Sequence, residues 1–374
     1  MPGPRARLVS AGAIVAAVIV LPAVGATLAG RSLGALLQFP PRLGLPPGYV
    51  RFSWIAVAVV LAPLLAVSIS WMRTHSPRIA RARASAVSPK AWPVWGSAAV
   101  AWILLWWLLA WTRFDWFAPL QRFTFFPLWL GYIAVVNALT LRRTGSCLLL
   151  ARPRYVALLF GMSAVFWWLF EWLNRFALNW HYLGVQDLGS AGYVAQASLC
   201  FSTVLPAVAS TREWVGSFPE FATRAAAGPR WSWLARRATG GWLAAGGCGA
   251  LLGVGVAPQW LYPALWLAPL ALMFGAGLWW HQEGLWSEIA RGDWRAAASW
   301  MTAALICGFF WEMWNVGSAA KWIYTVPFVQ RWHVFEMPML GYAGYLPFGW
   351  ECACVVWLLE SGRQSMRSAP VRVG

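Results

Sequence analysis

The sequence predicts an all-α fold, a polytopic transmembrane bundle of about ten helices with a degenerate internal parallel repeat. Of its 374 residues, 60% are hydrophobic and only 11% are charged, whereas soluble domains carry about a quarter charged residues. Apolar stretches of about 20 residues, the length that crosses a bilayer as a helix, recur along the chain. Trp occurs 31 times, and Trp prefers the membrane–water interface and large apolar binding surfaces. These observations indicate an integral membrane protein.

Ten apolar segments are each predicted to form a membrane helix. The first follows Arg5 and Arg7 and ends near small residues, as a cleaved signal peptide does, but its apolar run is longer than a usual signal core. That length favours a retained helix. The fourth and the last segments are short and are interrupted by Gly or Pro. In chain order, the segments are 8–29, 50–72, 92–112, 125–141, 155–174, 191–210, 240–257, 262–281, 299–316 and 346–361.

The basic residues are distributed unevenly between the two sets of loops that these helices define. One set, with both termini, holds 21 Lys and Arg residues, and the opposite set holds 8. The positive-inside rule then predicts a multi-pass protein of the inner (plasma) membrane with both termini in the cytoplasm, loops 73–91 and 211–239 on the same side, and loop 318–336 outside. The net charge of +17 is therefore interpreted as a topology signal, and no nucleic-acid partner is expected.

Three units are predicted along the chain. Residues 1–112 form N-terminal transmembrane helices with a basic cytoplasmic loop, and residues 113–239 and 240–374 each form a unit that carries one copy of a repeated motif. No segment is long enough for a separate soluble domain. Function must therefore lie in the membrane part or in its short loops.

The repeated motif places a glutamate at the end of a long apolar segment, where a carboxylate is costly to keep. By the charge distribution, both segments run from the cytoplasm outward, so the two copies lie at the same depth. This orientation predicts a parallel repeat about an axis along the membrane normal, with both glutamates close together in one cavity. The copies read Phe170-Glu171-Trp172-Leu173-Asn174, followed by Trp180 and Tyr182, and Trp311-Glu312-Met313-Trp314-Asn315, followed by Trp322 and Tyr324.

Acid–base chemistry is the predicted role of the glutamates. Glu171 and Asn174 are three residues apart on a helix, as are Glu312 and Asn315, so each pair shares a face and the amide can hold the carboxyl rotamer. An apolar setting favours the protonated acid, a proton donor suited to an alkene. Glu351, one turn into the last helix, is a third catalytic candidate. The asparagines and aromatic neighbours are predicted to bind substrate: Asn174, Asn315, Trp168, Trp180, Tyr182, Trp311, Trp322 and Tyr324.

Two other interpretations of the same residues stay open. In the first, each Glu–Asn pair only pins helix ends. In the second, the acids line a path in a transporter or lock helices in a structural membrane subunit. A metal site built from His181, His333 and the nearby glutamates lacks any H-x-x-x-H or E-x-x-H spacing. Nucleotide-binding glycine patterns and an Asp-rich diphosphate motif are also missing. No metal or cofactor is therefore expected, and the predicted partners are membrane lipid, an apolar lipid substrate and a membrane-protein partner subunit.

The doubled unit resembles the lycopene cyclase domain of small-subunit and fused carotenoid cyclases. That family repeats an acid in a helix, then W-x-[FY] about nine residues later, then P-x-E-E at the start of the next helix. The first part matches at both copies, whereas Phe335-Glu336-Met337-Pro338, with Glu336 expected to be exposed, and Pro347 to Glu351 replace the second. The resemblance covers about 160–215 and 305–360. It implies a polyprenoid or carotenoid-like substrate, acid–base chemistry through carbocations, and no metal.

Overall fold

The structure, a computed structural model, describes residues 4–39, 51–74, 90–280 and 284–367. Parts of the predicted basic loop 73–91 and of the C-terminal tail lie outside these residues. Helices dominate the described part of the chain, as predicted. They are α1 (Pro4–Leu28), α2 (Leu33–Leu37), α3 (Trp54–Thr74), α4 (Val94–Trp111), α5 (Phe125–Thr144), α6 (Leu148–Ala151), α7 (Pro153–Ala177), α8 (Gly189–Phe201), α9 (Val204–Gly216), α10 (Pro219–Ala225), α11 (Arg237–Val256), α12 (Pro258–Leu261), α13 (Ala264–Trp279), α14 (Leu285–Arg291), α15 (Arg295–Val316) and α16 (Tyr345–Arg367).

Nine of the ten predicted segments each coincide with one helix, and the sixth covers two, α8 and α9. Within the described ranges, eight helical segments are long and apolar enough to cross a membrane: α1, α3, α4, α5, α7, the α8–α9 pair, α11 and α15. Helix α13 is apolar but has only 16 residues, because the chain turns at Pro263 before it. The sixth segment is interrupted between α8 and α9, at Ser202 and Thr203. The chain is therefore a multi-pass, helical membrane protein.

Local sequence explains where several helices begin and end. Helix α7 starts at Pro153, in the first turn where a missing N–H costs nothing. Helix α5 ends at Gly145, which adopts φ 79° as a left-handed C-cap, after Arg142 and Arg143 in the last turn. The short helices α6, α10 and α14 lie in loops where the sequence predicted no element. They connect long helices without crossing the membrane.

Helix α1 packs closely on α11 through glycines. A Cβ atom on Gly255 would overlap the carbonyl oxygen of Pro22, and one on Gly25 would overlap the carbonyl oxygen of Leu252. Just beyond α1, the Arg31 guanidinium donates to the Gly255 carbonyl oxygen at 3.1 Å. Small residues at such contacts let helix backbones approach, which stabilises association within a membrane. The first helix is thus an integrated part of the described bundle.

Gly255→Leu is expected to lower the unfolding temperature of the protein in detergent, because overpacking a close contact costs about 1–3 kcal/mol and here the obstacle is backbone. The matched control is Gly249→Leu in the same helix, where a Cβ would meet no atom within 4 Å. Thermal denaturation of both purified variants measures the difference. Equal unfolding temperatures would mean that α1 does not pack on α11 in this way.

Four short strands complete the described fold. They are β1 (Trp180–Leu183), β2 (Lys321–Tyr324), β3 (His333–Val334) and β4 (Met337–Pro338). Strands β1 and β2 pair antiparallel, and β3 pairs antiparallel with β4. Strand β1 follows α7 and β2 follows α15, so the pairing of β1 with β2 joins the two copies of the motif directly.

Candidate functional site

The β1–β2 register brings equivalent residues of the two motifs opposite each other. Trp180 pairs with Tyr324, and Tyr182 pairs with Trp322. Because side chains alternate along a strand, positions two apart share a face, and these four aromatic rings lie on one face of the sheet. His181 and Ile323 are on the opposite face. The two W-x-Y sequences therefore build a single aromatic surface.

Each motif asparagine caps one edge of this sheet. The Thr325 amide donates to the Asn179 carbonyl oxygen at 2.8 Å, so the antiparallel ladder leaves the Trp180 N–H and C=O pointing away from β2. The Asn174 amide nitrogen donates to the Trp180 carbonyl oxygen at 2.8 Å, and its Oδ1 accepts from the Asn179 and Trp180 amides at 2.7 and 3.3 Å. The Asn174 side-chain amide thus pairs with the outer edge of β1 as the backbone of a neighbouring strand would.

Asn315 makes the equivalent bonds at the other edge. Its amide nitrogen donates to the Trp322 carbonyl oxygen at 2.7 Å, and its Oδ1 accepts from the Trp322 amide at 2.8 Å. The expectation that the asparagines hold the carboxyl groups of the glutamates, or bridge them, is therefore wrong. Both side chains bond the strand backbone instead. These bonds pair N–H and C=O groups that would otherwise lack a partner in the folded protein.

Glu171 is the centre of a cluster of three donors, which we call the Glu171 cluster. Its Oε1 accepts from the Tyr182 hydroxyl at 2.6 Å, the Trp180 indole at 2.9 Å and the Trp167 indole at 3.1 Å. The residue is only 6% exposed. The carboxyl group therefore fixes three aromatic side chains from two elements, α7 and β1.

Glu312 is the centre of a similar group, the Glu312 cluster. Its Oε1 accepts from the Tyr324 and Tyr345 hydroxyls, each at 2.7 Å, and the Trp322 indole donates to the Tyr324 hydroxyl at 2.8 Å. Its Oε2 is buried and has no partner among the described residues. The two clusters differ in one donor: the Trp167 indole bonds Glu171, whereas the Tyr345 hydroxyl bonds Glu312.

The difference follows from one residue four positions before each glutamate. The first copy has Trp167 there, and the second copy has Gly308. A Cβ on Gly308 would overlap the ring of Tyr345, so the missing side chain makes room for a tyrosine from α16. Tyr345 therefore supplies from a third helix the donor that Trp167 supplies within α7.

Both clusters lie behind the wall of one cavity of about 420 Å³. Neither glutamate lines this cavity, but all of their phenol and indole partners do. Trp311, stacked on Tyr345 with ring centroids 5.9 Å apart, also lines it. The aromatic side chains that line the cavity are Phe125, Trp167, Trp180, Tyr182, Tyr193, Phe201, Tyr262, Trp266, Trp311, Trp322, Tyr324 and Tyr345.

The tyrosines of the strands stay neutral in this setting. Burial, followed by the neighbouring Glu171, raises the pKa of Tyr182 well above its ordinary value. Burial and Glu312 do the same to the pKa of Tyr324. Both hydroxyls are therefore protonated donors at physiological pH.

Two ion pairs engage the cationic residues that line the cavity. Arg122 bonds Asp187 at 2.7 Å, and Lys321 bonds Glu336. Glu336 is thus partly buried in an ion pair rather than exposed as expected. Both pairs involve the segments that were predicted to lie outside the membrane.

Beyond the two cluster glutamates and the two asparagines Asn174 and Asn315, two more predicted site residues do not line the cavity. The Trp168 indole donates to the Ser198 hydroxyl at 3.0 Å and its ring packs on Phe201, so Trp168 does not line the cavity. Glu351 is fully buried in α16, and neither of its oxygens has a partner within the described chain. Conversely, Trp266 and Tyr345 line the cavity, although they were not among the predicted site residues. Trp167, one turn before Glu171, lines it as well.

The histidines do not come together. His181 is buried and its Nε2 lies 2.8 Å from the Thr325 hydroxyl, and burial lowers the pKa of His181 below its ordinary value. His333 is exposed and lies 3.0 Å from the Gln330 amide nitrogen. Over residues 4–39, 51–74, 90–280 and 284–367, no group of three or more His, Cys, Asp or Glu is placed to hold a metal ion.

The two Tyr–Glu clusters and the cavity between them form one aromatic site that joins both motif copies. No protein-family model, curated protein or solved structure matches the chain. The function of the site is therefore inferred from the side chains that build it.

Proposed function

We propose that the aromatic cavity binds one end of a long apolar, isoprenoid-type lipid, and that tyrosines in its wall transfer protons to that lipid. The observation that carries the proposal is a cavity of about 420 Å³ walled by aromatic rings whose hydroxyls bond buried glutamates. A long lipid would extend past α3, which contributes Val59, Val60, Pro63 and Leu64 to the lining.

The glutamates act through the tyrosines in this proposal, since they do not line the cavity. Tyr324 gives its hydroxyl proton to a double bond of the lipid, and a protonated Glu312 restores it, leaving a carboxylate. The carbocation formed is stabilised by the faces of the surrounding rings. Loss of a proton from a neighbouring carbon to the same Tyr–Glu pair then returns all groups to their starting state. The resemblance to lycopene cyclase domains supports this class of substrate.

The predicted test compares lipids extracted from membranes that contain the wild type or single variants. Glu312→Gln and Tyr324→Phe are expected to retain bound lipid but to slow its conversion by roughly 10²–10⁴-fold, the usual contribution of a general acid or base. Tyr262→Phe is the matched control, because Tyr262 lines the cavity but is not a member of either cluster. Mass spectrometry of bound and converted lipid separates the two effects.

A structural role is the second candidate, and it is favoured by the direction in which the carboxyl groups face. Each glutamate accepts hydrogen bonds from donors on two elements of the fold, and neither glutamate lines the cavity itself. If the clusters only lock helices together, all three variants would leave the lipid content unchanged. Conversion that persists in Glu312→Gln and in Tyr324→Phe would remove the enzymatic proposal.

We also propose that the protein lies in the inner (plasma) membrane with both termini in the cytoplasm. The division of 21 against 8 basic residues supports this orientation. A reporter that is active only in the cytoplasm, joined after Gly216, is expected to be active there. Activity of an external reporter at the same position would reverse the orientation.

A further inference from the structure

We infer that a second cavity, at the opposite end of the bundle from the aromatic site, binds the headgroup of an aminophospholipid, a phosphate ester that carries a primary ammonium group. Arg212 binds the phosphate, and Glu288 binds the ammonium group. Both residues line this cavity. It is separate from the aromatic site, so the inference does not rest on the function proposed for that site.

The second cavity has a volume of about 650 Å³ and lies where α7 and α15 begin. Arg152, the residue before α7, lines it, as do Arg295 and Ser299 in the first two turns of α15. The aromatic site is built where the same two helices end. Helix α15 has 22 residues, so at about 1.5 Å per residue its ends are roughly 33 Å apart. This separation is close to the thickness of a bilayer's hydrocarbon core, about 30 Å, which puts the second cavity at the depth of lipid headgroups.

The cavity is lined by charged side chains of both signs, only some of which are paired. Arg295 bonds Asp293 at 2.6 Å, and Arg152 bonds Glu360, which lies outside the lining, at 2.8 Å. The other charged residues of the lining make no ion pair within the described part of the chain. They are one cation and two acids: Arg212, Glu213 and Glu288.

Arg212 is held in place but keeps its outer nitrogens for a ligand. Its guanidinium lies over the Trp300 ring, 5.9 Å from the ring centroid, and its Nε is buried without a partner among the described residues. The two terminal nitrogens also lack a hydrogen bond within those residues, but unlike Nε they are not buried. The same is true of both carboxylate oxygens of Glu288. A free guanidinium and a free carboxylate are therefore both open to a ligand in one cavity.

The hydroxyl groups of the cavity favour a ligand that donates hydrogen bonds. Those of Thr140, Thr144, Ser217 and Ser299 all line the cavity, and each donates to a backbone carbonyl oxygen. Only their oxygen lone pairs remain, and these accept. Together with the two unpaired glutamates, they supply more acceptors than the free guanidinium supplies donors. A primary ammonium group offers three N–H donors, whereas a trimethylammonium group offers none.

The charges around Glu288 favour a ligand with both signs of charge. Burial, followed by the neighbouring Asp293, raises the pKa of Glu288, and Arg291 and Arg212 act in the opposite direction. An ammonium group beside Glu288 offsets the effects of burial and of Asp293. A purely anionic ligand would meet unpaired acids in the cavity, and a purely cationic one would meet Arg212. A zwitterion avoids both costs.

The experiment uses the purified full chain in detergent and three lipids with the same acyl chains: phosphatidylethanolamine, phosphatidylcholine and phosphatidylglycerol. Phosphatidylethanolamine is expected to bind roughly tenfold more tightly than either of the others, because only its headgroup joins a phosphate to N–H donors that carry positive charge. Titration followed by native mass spectrometry gives the three affinities.

Variants then assign the two halves of the headgroup. Arg212→Met should weaken all three lipids roughly tenfold, since all three carry the phosphate, whereas Glu288→Gln should weaken only phosphatidylethanolamine and bring its preference close to one. The controls are Arg154→Met and Glu220→Gln, at exposed positions outside the lining, which should leave every affinity unchanged. Unfolding temperatures without added lipid should be similar for all four variants, because Arg212 and Glu288 have no ion pair to lose within the described residues.

The outcomes are distinct. Equal affinity for phosphatidylethanolamine and phosphatidylcholine would overturn the inference, as would a preference that survives in Glu288→Gln. Tightest binding of phosphatidylglycerol would make the cavity a plain anion site. Free phosphoethanolamine is expected to bind more weakly than the lipid, since it lacks the apolar chains. If it bound as tightly, the ligand would be a soluble zwitterion and the assignment to a lipid would be wrong.

Discussion

Glu171→Leu is expected to destabilise the protein by about 3 kcal/mol, because three donors, one buried and two partly buried, lose their shared acceptor, and a buried unpaired donor costs about 1–3 kcal/mol. Those donors are the Tyr182 hydroxyl and the Trp180 and Trp167 indoles. Water cannot replace the carboxylate, since the residue is 6% exposed and lies in a helix of the bundle. The aromatic wall would rearrange on both α7 and β1.

Glu171→Gln is the informative partner of that change. The side-chain carbonyl oxygen of glutamine still accepts hydrogen bonds, so the loss of stability should be clearly smaller than with Leu. The control is Glu220→Leu in α10, an exposed glutamate whose replacement should shift the unfolding temperature little. Thermal denaturation in detergent gives the unfolding temperatures of the three variants, Glu171→Leu, Glu171→Gln and Glu220→Leu. If Glu171→Leu were no worse than Glu220→Leu, the cluster would not hold the wall.

The helices could be predicted from sequence because their signal is local. A continuous apolar run of sufficient length defines a membrane helix by itself, and each of the ten predicted segments is helical. The internal repeat beyond the motif copies stays a prediction. The break between α8 and α9 was missed because it depends on how short apolar helices pack, and hydropathy averages over such a break.

The site was harder to predict from the sequence, because the residues that contact one another there come from distant parts of the chain. Nothing near Trp180 indicates that Tyr324 will pair with it, although the W-x-Y alternation in both copies has the period of a strand. The role of Tyr345 was hidden for a similar reason. It depends on the absence of a side chain at Gly308, a contact that becomes visible only when α15 and α16 are packed together.

The sequence singled out Glu171 and Glu312 as site residues, but their surroundings differ from those predicted. Glutamates at helix ends near Trp and Tyr were expected to face a cavity as proton donors. The clusters place them one layer behind it, where indole and phenol donors surround them. Hydrogen-bond donors offset the cost of burying these two carboxyl groups, and aromatic residues with polar ends are the ones that can also form an apolar wall.

Asn174→Ala is the second change with a large expected effect. It leaves the Trp180 carbonyl oxygen and the Trp180 and Asn179 amides without their side-chain partner. These backbone groups are buried, and those of Trp180 point away from β2. We expect a loss of about 3 kcal/mol or more in the free energy of unfolding, with a weaker β1–β2 pairing as the cause.

Asn315→Ala should cost less, by roughly 1 kcal/mol, because it removes one accepted and one donated bond at Trp322 rather than two accepted bonds and one donated. The double variant gives a sharper test of the shared sheet. If each asparagine supports the same strand pair, the second substitution should cost less in the presence of the first, since the pairing is already weakened. Strict additivity in thermal or chemical denaturation would mean that the two edges are held independently, and that β1 and β2 do not couple the two motif copies.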